Sequence, residues 1–216
     1  MKFALEQLKN LSLTSSRPLI ISDADEVILH FSDLLSQYLL TQGMYVIFSS
    51  YNLEGNIKYI DSDKPVDSEL FKGLIEDYFE NNVEKQPVVK GAIEHLGNLS
   101  EYCDIIILTN IPHAFADRRR TKLAQLGINY PMISSSGPKG PVLKAIRQKT
   151  DEKLIFIDDI SHHHESVAKH VPETLRIQFI ADKQLNKLEK QSAHSHHRCH
   201  DWPDIEHVIK RHLYDT

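Results

Sequence analysis

Cysteine is scarce: Cys103 and Cys199 are the only two in 216 residues. Two thiols cannot build a disulfide framework, and they suit a reducing compartment. Long apolar runs are missing as well, since no stretch approaches the ~20 residues needed to cross a bilayer. The first segment, Met1-Lys-Phe-Ala-Leu-Glu-Gln-Leu-Lys9, carries charge through its apolar positions, which is not the pattern of a signal peptide. Basic charge is not in excess either. A formal charge of -5 and a pI near 6.2 give no electrostatic case for a nucleic-acid or membrane surface. The one basic run, Arg118-Arg119-Arg120, is too short to change that, and a solvated helix face accounts for it. No internal repeat and no low-complexity linker occur. These absences lead to the expectation of a soluble cytoplasmic protein with no nucleic-acid or membrane partner.

What is present is an ordinary globular composition, 41% hydrophobic and 25% charged, in a chain long enough for one good-sized core. Short apolar runs alternate with amphipathic stretches. Residues 3–11 form a lead-in helix, and Pro18 to Ser22 reads as a buried strand. A helix from Phe31 stops at Gly43. Tyr45–Tyr51 and Ile57–Ile60 read as a hairpin, and Leu70, Phe71, Leu74, Ile75, Tyr78 and Phe79 mark another helix. From Pro87 the pattern is regular. Strands at 104–108, 131–134, 154–157 and 175–180 alternate with helices at 89–100, 113–126, after Pro141 and at 161–169. A last helix runs from Asp201-Trp-Pro203 to Leu213. Such alternation predicts an α/β fold, a Rossmann-like parallel sheet covered on both faces. Residues 1–31 and 87–216 are expected to form this core, and 32–86 a small mixed α+β insert.

In an open parallel sheet, ligands bind beyond the carboxyl ends of the strands. Here those ends carry a set of polar groups. The first strand ends in Asp23-Ala24-Asp25, and two carboxylates one residue apart at the end of a buried run need a partner. Ile105-Ile-Ile-Leu108 ends in Thr109-Asn110. Ser134-Ser-Ser-Gly-Pro precedes Lys139, and Leu154-Ile-Phe-Ile157 ends in Asp158-Asp159. The chemistry of this set is phosphoryl transfer. A carboxylate such as Asp23 is a nucleophile toward phosphorus. Asp23 with Asp158 or Asp159 offers hard oxygen ligands suited to Mg2+, which would offset the repulsion between nucleophile and phosphate. Asp25 can protonate a leaving alcohol and then activate water. Thr109 and Lys139 can hold phosphoryl oxygens.

On these motifs the chain resembles the haloacid dehalogenase superfamily of hydrolases. Leu19-Ile-Ile-Ser-Asp23-Ala-Asp25-Glu-Val matches the first motif and Ile105-Ile-Ile-Leu-Thr109-Asn110 the second. Lys139 in Gly137-Pro-Lys-Gly-Pro fits the third, and Phe156-Ile-Asp158-Asp159 the fourth, all in order within 17–180. The resemblance implies Asp23 as nucleophile and Asp25 as acid/base, its main-chain carbonyl also offered to Mg2+. It implies Thr109, Asn110 and Lys139 as phosphoryl or substrate contacts, and Asp158-Asp159 as completing a metal site with Asp23 and Asp25. The 32–86 insert falls where family members place a cap. Aspartate at position 25 is typical of the phosphatases, so a small phosphorylated metabolite is the expected substrate and phosphomonoester hydrolysis the expected reaction.

Plainer readings stand beside these. Asp23 or Asp25 could cap the next helix, Asn110 could orient its loop, and Asp158-Asp159 could be a solvated turn. Lys144 rivals Lys139. Histidines 162–164 read mainly as surface residues of a first helical turn, though one could face the site. His194, His196, His197, Cys199 and His200 offer zinc ligands at a spacing that matches no closed site well, so a partly exposed loop is expected there. Tyr45, Phe48 and Tyr51 suit either a cavity wall or hairpin packing. Two other functions remain open: a response-regulator-like phosphoacceptor, against which the motif order argues, and a binding or scaffold protein that keeps the fold. The sequence leaves open the substrate, the oligomeric state and which of Asp158 and Asp159 is the direct metal ligand.

Overall fold

The structure, a computed structural model, describes residues 2–11, 16–48 and 53–214. Its centre is a sheet of six parallel strands: β1 (Leu19–Ser22), β4 (Asp104–Thr109), β5 (Met132–Ser134), β6 (Leu154–Asp158), β7 (Leu175–Phe179) and β8 (His197–Cys199). Their order across the sheet is β5-β4-β1-β6-β7-β8. β1 thus lies between β4 and β6, with Ser22 level with Ile107 on one side and Ile157 on the other. The chain builds outward from β1 in one direction and then in the other. That reversal opens a crevice at the carboxyl ends of β1, β4 and β6.

These strands read as unbroken apolar runs because both faces are covered. Alternate residues Ile20, Ile105, Ile107, Ile155 and Ile157 pack on one side. They meet α4 (Ala92–Ser100), α5 (Ala116–Gln125) and α9 (Trp202–Tyr214). Their neighbours Leu19, Ile21, Ile106, Leu108 and Phe156 pack on the other. There they meet α1 (Lys2–Lys9), α6 (Gly140–Arg147) and α7 (Ser161–His170). A third apolar cluster lies apart from the sheet. It gathers α2 (Ser32–Thr41), α3 (Ser68–Asn82) and the two-stranded antiparallel sheet β2 (Met44–Val46) and β3 (Ile57–Tyr59). Ile111 and Phe115, just beyond β4, join that cluster.

Two elements were not expected from the sequence. α8 (Lys183–Leu188) begins at Asp182, whose carboxylate accepts from the backbone N–H groups of Gln184 and Leu185 at 2.8 and 2.7 Å. β8 corrects the expectation of a loop at 194–200, though not of partial exposure: residues 197–199 extend the sheet, with Cys199 buried and His197 exposed. A three-residue edge strand has too few positions to display an apolar period. The histidines around it are held by the neighbouring strand. His196 Nδ1 accepts from the Arg176 N–H at 3.0 Å, and the His194 carbonyl accepts from Arg176 Nε at 2.6 Å. Among the described residues, 194–200 do not converge as a set of metal ligands.

Candidate active site

The chain turns tightly as it leaves β1. Asp23 continues the pairing with β6 through its N–H to the Ile157 carbonyl at 2.9 Å. The Ala24 carbonyl then accepts from the N–H groups of Val27, Ile28 and Leu29, and Glu26 adopts a left-handed conformation with φ 56°. Neither Asp23 nor Asp25 caps a helix, because α2 begins only at Ser32. Glu26 locks the turn instead. Its carboxylate accepts from the N–H of Phe31 and Ser32, the Ser32 hydroxyl and, on its other oxygen, the Asp182 N–H. Burial still raises its pKa above the ordinary value, against those bonds. Trp202 Nε1 donates to the Val27 carbonyl at 3.0 Å and anchors the turn to α9.

At the strand ends the expected residues meet. Lys139, at the start of α6 and fully buried, reaches Asp23 Oδ2 at 2.9 Å and Asp158 Oδ2 at 2.6 Å. Lys144, its rival, is exposed. Burial opposes charge on Lys139, but the carboxylates of Asp158 and Asp23 outweigh it and hold the ammonium above its usual range. Burial also acts on Asp158, where Lys139, His163 and His164 outweigh it and keep the carboxyl low. For Asp23 burial wins: its pKa is pushed up to about 7 despite Lys139, with Asp158 and Asp25 adding repulsion. Asp23, Asp158 and Asp159 are all buried and present oxygens within 4.8 Å of one another. Three clustered hard carboxylates, two of them on the Lys139 ammonium, fit a divalent cation, which would offset the charge that burial leaves uncompensated at Asp23. The Asp25 carboxylate lies outside that cluster. Asp158-Asp159 is therefore no solvated turn.

Thr109 is fully buried at the end of β4, and its hydroxyl has no partner among the described residues. Ser135 next to it carries a second such hydroxyl. Buried polar groups without partners are uncommon, and two side by side at a strand end suit an oxygen-rich ligand. Asn110 does orient its loop, donating to the Gly137 carbonyl at 3.0 Å, and it also faces the cavity.

The expectation of a solvated face at Arg118–Arg120 holds for the outer two and fails for the middle one. Arg118 pairs with Glu80 and Glu84, and Arg120 with Asp117. Arg119 is fully buried and gives two N–H groups to Asp25 Oδ1, at 3.0 and 3.1 Å. Gln86 adds a third donor to the same oxygen at 2.7 Å and accepts from Arg119. The sequence signal was faint: one position in a basic run falls on the inward face of an otherwise polar helix. The surface reading of 162–164 also fails for two of the three. His162 is exposed, but His164 is buried with Nε2 against the Asp158 carbonyl at 3.0 Å. His163 lies 3.3 Å from the Asn110 amide, and burial drives its pKa down to about 3.

A cavity of about 450 Å³ lies against this edge of the sheet, within the range of small-molecule sites. Asp23, Asp25, Asn110, Asp159 and His163 line it on one side, and side chains from α2, α3 and the segments between them on the other. Phe48 is one of these, whereas the Tyr45 hydroxyl donates to Asp63 and Tyr51 lies outside the described residues. A parallel sheet with this crevice and a separate α+β cluster is a Rossmann-like α/β fold, shared with solved haloacid dehalogenase-like structures.

No protein-family model and no curated protein matches the chain. Solved structures do. One is a haloacid dehalogenase-like protein of unknown function from Agrobacterium tumefaciens. It is 16% identical with a TM-score of 0.63, over 90% of this chain and 98% of that one. A predicted phosphoglycolate phosphatase from Haemophilus somnus aligns with a TM-score of 0.62 at 13% identity, over 91% and 99%. A HAD-hydrolase from Bacillus subtilis, solved bound to magnesium, gives 0.62 at 11%, over 90% and 99%.

Proposed function

We propose that this chain is a Mg2+-dependent phosphomonoesterase that works through an aspartyl-phosphate on Asp23. One observation carries the reading: Lys139 joins Asp23 and Asp158 inside a three-carboxylate cluster beneath a ligand-sized cavity. Asp23, Asp158 and Asp159, with the Asp25 main-chain carbonyl, would hold the ion. When bound, Mg2+ supplies positive charge that draws the phosphate toward a carboxylate nucleophile.

An oxygen of Asp23 attacks phosphorus, and the bond from phosphorus to the ester oxygen breaks. Asp25 gives the departing alkoxide a proton, releasing the alcohol. Asp25, now ionised, takes a proton from water, whose oxygen attacks the aspartyl-phosphate and frees inorganic phosphate. Lys139 and the Thr109 hydroxyl hold the equatorial oxygens, where transition-state charge is spread. Asn110 positions the ester from the loop beside them.

Residues 32–86 act as a cap over residues 1–31 and 87–216, and the substrate is a small phosphorylated metabolite. No described helix is long and apolar enough to cross a membrane. Both cysteines are free and buried, which suits a reducing cytoplasm.

The test is turnover of p-nitrophenyl phosphate with and without Mg2+, set against Asp23→Asn. Turnover that needs Mg2+ and vanishes in a folded Asp23→Asn protein is the expected result. Undiminished activity in that variant would end the mechanism. A phosphorylated form that accumulates without turnover would make the chain a phosphoacceptor instead.

A further inference from the structure

The walls of the cavity differ sharply from its floor. α3 turns Phe71, Ile75 and Phe79 toward it, at successive spacings of four residues, so one helical stripe forms one wall. Phe31, Phe48 and Leu53 continue the apolar lining. Among the described residues, most polar side chains of the walls are committed or exposed. Glu26 has both oxygens bonded, three donors on one and the Asp182 N–H on the other, and the Ser32 hydroxyl donates to Glu26. Lys72 and Glu76 remain, and both are exposed.

A sugar or glycerol group placed against Phe71, Ile75 and Phe79 would give up its hydrogen bonds to water without finding replacements on those three side chains, which is costly for each hydroxyl. An alkyl chain or aromatic ring in the same place would lose nothing and would remove apolar surface from water. We propose that the preferred substrates are phosphomonoesters of apolar alcohols, with the phosphate at Asp23 and the hydrocarbon against Phe71, Ile75 and Phe79. This rests on the phosphatase reading above and adds the chemical class of the leaving group.

The experiment compares kcat/KM for ethyl, butyl and hexyl phosphate, and for propyl phosphate against its hydroxylated counterpart glycerol 3-phosphate, each with an Asp23→Asn control. Rates should rise up to about fourfold per methylene, equivalent to ~0.8 kcal/mol. Propyl phosphate should exceed glycerol 3-phosphate by roughly 10- to 100-fold. Ile75→Asn and Phe71→Ser should flatten the dependence on chain length. Binding gives a second reading that needs no turnover: hexylphosphonate should raise the melting temperature of Asp23→Asn more than glycerol 3-phosphate does. Asp23-dependent turnover that is flat with chain length, or that favours glycerol 3-phosphate, would overturn the substrate class and leave the phosphatase reading intact. If no ester is turned over, the phosphatase reading fails and this proposal falls with it.

Discussion

Arg119, with no solvent exposure, donates to Asp25 Oδ1 through both terminal nitrogens, at 3.0 and 3.1 Å. With Gln86 on the same oxygen, the carboxylate is fixed by three donors on one side. Asp25 keeps 19% of its side-chain surface and lines the cavity, so the grip sets which way its second oxygen faces.

Under the proposed mechanism, Arg119 positions Asp25 for proton transfer. In Arg119→Leu, kcat for an alkyl phosphate should fall at least about tenfold, ~1.4 kcal/mol in barrier. The fall for p-nitrophenyl phosphate should be much smaller, because its leaving group needs little help from a proton. Arg119→Lys keeps the charge but not the two-nitrogen fork and should recover only part of the loss. Equal losses on both esters would mean a structural role alone.

Lys139 lies between Asp23 and Asp158 with no solvent exposure. Lys139→Met should destabilise the metal-free protein by about 3–5 kcal/mol, because two buried carboxylates lose their shared counter-charge. Adding Asp158→Asn should return part of that loss, so the double variant is more stable than the two single losses summed. Urea denaturation measures both, and strictly additive losses would show that the three groups are not coupled.

Gly140 brings α6 against α7. A Cβ there would lie 2.2 Å from the Ser166 carbonyl oxygen and 2.6 Å from His170 Nδ1. Gly140→Ala should therefore cost about 1–3 kcal/mol through overpacking, despite alanine's better helix propensity. Gly97, exposed in α4 with nothing within 4 Å, is the control. Gly97→Ala should stabilise by about 0.4–1 kcal/mol. Thermal melts of the two variants should move in opposite directions.

Glu206 ties α9 to α4. Burial opposes its charge, but bonds from Lys210, His95 and Asn98 outweigh that and bring its pKa down from 4.5 to about 2. A carboxyl depressed on folding adds stability that is present above pH 4.5 and lost as pH falls toward 2. Glu206→Gln should be less stable than the parent at pH 7, and the difference should close between pH 4.5 and 2. A difference that stays constant across that range would show that the carboxylate charge is not the source.

The core of the fold could be read from local pattern. Leu19–Ser22 and Leu154–Asp158 are runs buried on both faces, and such runs are visible without knowing their neighbours. Lys139 could be chosen over Lys144 because it precedes its helix and so comes to the strand edge. The misses share a cause. β8 is too short to show a period, and α8 is signalled only by the capping carboxylate of Asp182. Arg119 and His163 sit in segments whose composition is that of a surface.

The sequence by itself determined the order of motifs, the buried strands and the residue types at their ends, because strand and helix periods and end residues are local properties. Only the tertiary structure decided which partners satisfy the charges. Arg119 is 94 residues from Asp25 and Gln86 is 61. Tertiary structure likewise brought Phe71, Ile75 and Phe79 of α3 into the lining of the cavity that Asp23 also lines. A buried charge is compensated by whatever the closed fold brings within about 3 Å, and separation along the chain does not reveal it.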